Sequence, residues 1–270
     1  MNIICKIAIT IFCLHSGLSM ALDKVYLDLL SSIPTEDRAR LEFLFYRIFN
    51  NDHGAYTLFC DKPVSLSGHF KISPWENIIE LGLRGSDDEV FGKEWKTWEK
   101  YRNLFKIKGY ILVKENSKLT GITNIIFINK NEFIKYVKNN SSLFERILGH
   151  PFNPEEVLKN IEDGKITFVD SIENNEVLWG VLLGYGKHNS ILYSRWHGPF
   201  REKPLEYEGI GDYFYTPLIM SSTHFVGNSR HPESIELQNK YRRQRGFISS
   251  IYAQGNLFEI TLSKLVSSPE

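Results

Sequence analysis

The chain has 270 residues, with 32 basic and 32 acidic side chains and a formal net charge of zero. Hydrophobic residues make up 42% and charged residues 24%, which excludes a disordered chain, a collagen-like chain and a multi-span membrane protein. The balanced charge argues against a general nucleic-acid binder, and three cysteines are too few for a disulfide-stapled miniprotein.

Residues 1–21 read as an export signal. Lys6 is their one charge, the run Ile7 to Leu14 is almost wholly apolar, and Ser19 and Ala21 are small residues placed before a cleavage point. The apolar run is shorter than the about 20 residues a membrane span needs. A buried N-terminal helix is the competing reading. Cleavage after Ala21 leaves residues 22–270 as one domain, with 31 basic and 32 acidic residues and no membrane span. Cys5 and Cys13 leave with the signal, so Cys60 becomes the lone cysteine and no intramolecular disulfide is possible.

The elements then follow in chain order. Pro34-Thr35-Glu36-Asp37 opens a helix, with Thr35 as its cap and two acids where the helix dipole favours them. Leu41, Leu44, Phe45, Ile48 and Phe49 give that helix one apolar face, and Asn50 to Gly54 end it. Two short strands are expected near 55–60 and 64–67. Ser73-Pro74-Trp75-Glu76 and Ser86-Asp87-Asp88-Glu89 are helix starts, and the second helix carries Phe91, Trp95, Trp98 and Phe105 on one side. Tyr110–Val113 and Ile122–Ile128 read as strands that can pair as a hairpin, the second apolar throughout and therefore central.

Beyond Asn129 the pattern is mostly helical. Asn129 to Glu132 and Ser142 to Glu145 are cap-and-acid pairs, Gly149 closes that stretch, and Asn153-Pro154-Glu155-Glu156 opens a helix that Asp163-Gly164 ends. Val177 to Leu183 is a buried helix broken at Gly184-Tyr185-Gly186. Residues 197–230 have no sustained period and read as a long loop or lid. Pro232 starts a last helical region with a break near Gly246, running to about Leu265. The fold class expected is α+β: a mostly helical single domain with a small mixed or antiparallel sheet.

Common catalytic and nucleotide-binding motifs are absent, and no cofactor or metal is implied. Gly184 to Ser190 is the most site-like cluster. Two glycines allow a sharp turn, Lys187, His188 and Asn189 begin a new helix whose backbone N–H groups can meet an anion, and Arg195 and His197 lie about two turns on. The functional reading is an anion or acyl pocket with His188 as acid/base and Lys187 and Arg195 beside it; the bland reading is a helix break. Cys60 with His53 or His69 is a second candidate, set against a packed, inert thiol. Lys240, Arg242, Arg243 and Arg245 form a basic cluster that can bind an anionic surface or partner, set against a solvated face helped by Glu233 and Glu236. His224 and His231 have no carboxylate or cysteine at ligand spacing.

Four segments are distinctive: Tyr56 to Ser65, Lys93 to Tyr101, Ile128 to Phe133, and Trp179 to Ser190. In this order they resemble an uncharacterised family of exported proteins from chlamydia-like and similar intracellular bacteria, over most of the chain from about residue 40. That family has no assigned activity, so the resemblance supplies no catalytic residue. It implies a bacterial envelope or secreted protein at a host interface; the partner stays unknown, with an envelope or host protein as the candidate, and no nucleic acid is expected from the balanced charge. The leading expectation is a periplasmic or secreted factor that works by binding. The alternative is an envelope hydrolase or transferase using His188.

Overall fold

A computed structural model describes residues 24–69, 92–116, 123–196, 207–210 and 223–267. The expected export signal and the helix starts at Ser73 and Ser86 lie outside the described residues. The elements are α1 (Lys24–Ser32), α2 (Thr35–Phe45) running into a π-helical turn (Tyr46–Asn51), α3 (Gly54–Phe59), β1 (Val64–His69) and α4 (Gly92–Tyr101) with a 3-10 turn (Arg102–Leu104). After them come β2 (Tyr110–Asn116), β3 (Thr123–Asn129), α5 (Lys130–Asn139), α6 (Ser141–Leu148), α7 (Pro154–Glu162), α8 (Phe168–Ser171), α9 (Glu176–Leu182) and α10 (Lys187–Trp196). The last are β4 (Tyr207–Ile210), β5 (Phe225–Asn228), α11 (Pro232–Tyr252) and α12 (Leu257–Ser267). The protein is mostly helical with a small antiparallel sheet, the α+β class the sequence implies.

β3 is the centre of the main sheet, in the order β1-β3-β2, with both pairings antiparallel. Its alternation explains its composition. Ile125 and Phe127 face one core, with Leu41, Phe45, Phe49, Trp98, Tyr110 and Phe258; Ile126 and Ile128 face a second, with Val64, Ile111, Phe133, Phe168 and Leu178. A strand covered on both faces has no polar side to show, so it reads as a continuous apolar run. The first core is held by aromatic edges: Phe45 meets Trp98 and Phe258 at centroid distances of 5.6 and 5.0 Å, and Phe49 meets Phe127 at 4.9 Å. Each such ring, fully buried, contributes about 2–3 kcal/mol of hydrophobic free energy. A third cluster joins α3, α11 and the β4–β5 ribbon through Tyr56, Tyr241, Ile210 and Phe225.

Caps fall mostly where the sequence puts them. The Asn129 side chain accepts the Glu132 amide at 3.1 Å, and Asn153 accepts those of Glu155 and Glu156. Gly149 ends α6 in the left-handed region, at φ 73.

Several expectations are corrected. Residues 55–60 are not a strand: Gly54–Phe59 is a helix, entered through His53 at φ 66. Gly54, Ala55, Tyr56, Thr57 and Leu58 are all buried, so no polar face marks the helical period. Thr35 is the first helical residue, not the cap; Pro34 holds that place. α6 starts at Ser141 after Asn140, with no capping side chain. α11 does not break at Gly246, where the helix is open to solvent and a glycine is tolerated at about 1 kcal/mol. The break comes after Tyr252, and Asn256 caps α12 by accepting the Phe258 and Glu259 amides. Within 197–230, the described pieces 207–210 and 225–228 are not loop but an antiparallel ribbon. No described helix is long and apolar enough to cross a membrane.

Candidate functional site

The Gly184–Ser190 cluster forms the turn between α9 and α10. Gly184 and Gly186 take φ values of 78 and 86, where only glycine is unstrained. A Cβ on Gly186 would also sit 2.6 Å from the Glu233 carboxyl. That closeness has a purpose. The Glu233 carboxylate accepts the backbone N–H groups of Lys187 at 2.9 Å, His188 at 2.8 Å and Asn189 at 3.4 Å. The α10 start is an anion site, and the chain fills it with its own carboxylate. The expectation of free N–H groups is therefore corrected. Glu115 does the same for α8, accepting the Phe168 and Val169 amides from β2.

The side chains around the turn are also engaged. Asn189 donates to the Tyr185 carbonyl at 3.0 Å and accepts from the Ser234 hydroxyl at 2.9 Å. Gly227 makes room for it, since a Cβ there would fall 2.2 Å from the Asn189 oxygen. The Tyr241 hydroxyl donates to the Gly184 carbonyl at 2.7 Å. His188 stacks flat on His231, with centroids 3.6 Å apart and planes 1° apart. His231 caps α11, its Nδ1 accepting the Glu233 amide at 3.3 Å. Burial and then His231 lower the His188 pKa, which favours a neutral ring. His188 Nε2 is buried and has no hydrogen-bond partner. A general base needs a partner to orient it and an open approach; here the ring faces another ring and the adjacent carboxylate is committed. Lys187 is exposed, and Arg195 lies near the far end of α10, so the structure does not gather the three expected residues around a common point.

The second candidate also resolves into packing. Burial, followed by the Asp61 charge, pushes the Cys60 thiol up to about 12, so it is a thiol at neutral pH and not a nucleophilic thiolate. His53 has its ring against those of Tyr56 and His224. The His69 side chain lies outside the described residues.

Beside Cys60 lies a group the sequence reading missed. Lys62 is buried, at 2% exposure, with no carboxylate partner among the described residues. Its Nζ donates to Ser65 Oγ at 3.1 Å; Thr57 Oγ1 lies 2.7 Å from the same oxygen, and Ser65 donates to the His53 carbonyl at 3.0 Å. Burial brings the Lys62 amine down to about 7. A lysine within reach of a serine is a nucleophile–base spacing. Here, however, the serine is 1% exposed and its proton lies on a carbonyl, so the cluster ties α3 to β1. The signal was a lysine between two apolar segments, in Asp61-Lys62-Pro63-Val64.

The basic cluster splits. Lys240 pairs with Asp61 at 2.9 Å, Gln244 donates to the same carboxylate at 2.6 Å, and Arg245 is half-buried. Arg242 and Arg243 stay exposed, and Phe247, at 53% exposure, follows Arg243 by one turn.

One open concavity stands apart from all of these. It has a volume of about 330 Å³ and lies at the edge strand β2, where α4, its 3-10 turn, α7 and α12 meet the sheet. Trp98, Tyr110, Leu112, Phe127 and Leu265 supply apolar wall, and Arg102 and Lys106 supply cations. Glu162 also lines it, but its carboxylate is held by Lys130 Nζ at 2.8 and 2.9 Å. Trp98 is buried, and its indole N–H has no acceptor. Among the described residues no group of three His, Cys, Asp or Glu can hold a metal. Comparison with protein-family models, with curated proteins and with solved structures gives no significant match.

Proposed function

We propose that this chain is an exported bacterial factor, periplasmic or secreted, that works by binding. The observation that supports it best is the hollow at β2, an open concavity with two cations on its rim that have no ion pair among the described residues, while Glu233 and Asn189 tie the turn at Gly184–Ser190 up in internal hydrogen bonds. Binding sites are characteristically concave and apolar with a few polar groups that fix orientation. Export rests on the signal-like residues 1–21, and bacterial origin on the four segments that resemble the envelope family.

The test is purification of the C-terminally tagged protein from fractionated native cells, followed by native mass spectrometry. The expected result is a chain beginning at Leu22 outside the cytoplasm, carrying a non-covalent mass that is lost when Leu112→Trp fills the hollow. A cytoplasmic chain with Met1 intact would overturn export. An empty chain that turns over ester substrates would overturn binding.

A further inference from the structure

We propose that the hollow at β2 takes an amphipathic anion, a molecule with a single anionic head and a short apolar tail. This rests on the binding reading above and names its ligand.

The wall decides the chemistry by the groups it presents to the space. Ile107 and Leu112, both half-buried, offer apolar surface to the space in front of the buried Phe127 and Leu265, and Tyr110 stacks on Phe127 at 5.3 Å, so that wall is rigid. Apolar wall open to water gains free energy when a tail covers it. A small hydrophilic anion would leave that wall wet. A neutral lipid or alcohol would gain nothing from Arg102 and Lys106, which are exposed and have no ion pair among the described residues. A cation has no place either, because the carboxylate of the wall, Glu162, is already clamped by Lys130. An anion with a tail satisfies both parts of the wall at once.

Lys106 points the same way by a separate observation. It holds φ 46, the left-handed region that disfavours a residue with a Cβ. A glycine would sit there without strain, so the fold does not require a lysine at this position. The lysine side chain stands on the rim of the hollow, one turn's length of chain after Arg102. The volume suits a small molecule at the low end of ligand sites, not a protein segment.

The experiment titrates the full mature chain with decanoate, decanol and acetate below micelle formation, by calorimetry, and with vesicles of phosphatidylglycerol by co-sedimentation. Decanoate is expected to bind saturably at one site, at least tenfold tighter than decanol, with no measurable acetate binding. Arg102→Glu with Lys106→Glu should weaken decanoate at least tenfold and leave decanol unchanged, and circular dichroism checks that the variant is folded. Lys106→Gly is the second variant; it relieves the backbone and should still weaken decanoate severalfold. Decanol binding as tightly as decanoate would overturn the anionic head while leaving the binding reading standing. Decanoate binding that ignores the charge reversal would overturn the site. Vesicle binding without binding of monomeric decanoate would overturn an enclosed ligand in favour of surface docking. If none of the probes binds, yet the protein from native cells carries a mass that Leu112→Trp removes, the ligand class falls and the binding reading survives.

Discussion

The turn at Gly184–Ser190 and the hollow at β2 are opposites in how they treat their polar groups. The turn has the residue types of a site, with glycines, a histidine and an amide cluster at a helix start, and the protein spends all but one of them on itself. Glu233 fills the anion position, Asn189 bridges three elements, and His188 is stacked on His231. The hollow has no motif, yet its rim carries two exposed cations with no ion pair among the described residues, and its wall includes Trp98, whose buried indole N–H has no acceptor. A polar cluster is evidence of function only after its internal partners have been counted, because buried groups that are fully paired are explained by folding alone.

The largest expected effect tests how complete that internal pairing is. Lys62 lies beneath the turn, its stem 3.6 Å from where a Cβ on Gly184 would be, and it has no carboxylate partner among the described residues. Unfolded, it keeps its proton up to its ordinary value of 10.5; folded, it gives the proton up near 7. Between those values the unfolded chain binds more protons, so this group alone makes stability rise with pH, by up to about 5 kcal/mol. Cys60 and Tyr185 act in the opposite sense. Each is held up to about 12 when folded, from ordinary values of 9.0 and 10.0, so stability falls again above those values. Urea unfolding from pH 6 to 11 should therefore show a maximum near pH 9. Lys62→Met should remove the rising limb and leave the fall. A rising limb that persists in Lys62→Met would assign it to another group.

The next effects come from the turn. Gly186→Ala combines a strained φ with a clash against Glu233 and should destabilise by about 3 kcal/mol in urea unfolding. Glu233→Ala removes a charged acceptor from three amides and should cost about 2 kcal/mol. A loss below about 0.5 kcal/mol in Glu233→Ala would mean that the α10 start is not internally satisfied, and would erase the contrast with the hollow.

The smallest effects belong to the hollow, where stability should hardly depend on the polar groups. Lys106→Gly should be neutral or stabilising by up to about 1 kcal/mol, because it relieves a left-handed lysine. Trp98→Phe should cost less than about 1.5 kcal/mol, since the N–H it removes has no acceptor and most of the ring packing remains. A larger loss in either would show that the hollow is a structural element and not a spare surface.

Much of the scaffold was legible along the chain. Asn129 and Asn153 cap helices through local contacts, and a strand buried on both faces announces itself by an unbroken apolar run. What was not legible is long-range. Gly54–Phe59 is buried all round, so its helical period is silent and it resembles a strand. Glu233 lies 45 residues from the amide it serves at His188, and nothing local distinguishes it from a surface acid. The four cations near 240–245 looked like one patch, but the charge of Asp61, far back in the chain, takes Lys240 out of it. The hollow draws its wall from α4, β2, β3, α7 and α12, and no window of sequence contains it.

The most direct test of the contrast is a two-dimensional amide NMR titration of the mature, isotope-labelled chain with decanoate. The expected result is that the Trp98 indole and the amides of Arg102, Lys106 and Leu112 shift with one saturation curve, while those of Lys187, His188 and Asn189 stay still. Shifts at Lys187 to Asn189 with the hollow silent would contradict the account, for they would mean that a ligand displaces Glu233 and that the turn, not the hollow, is the site.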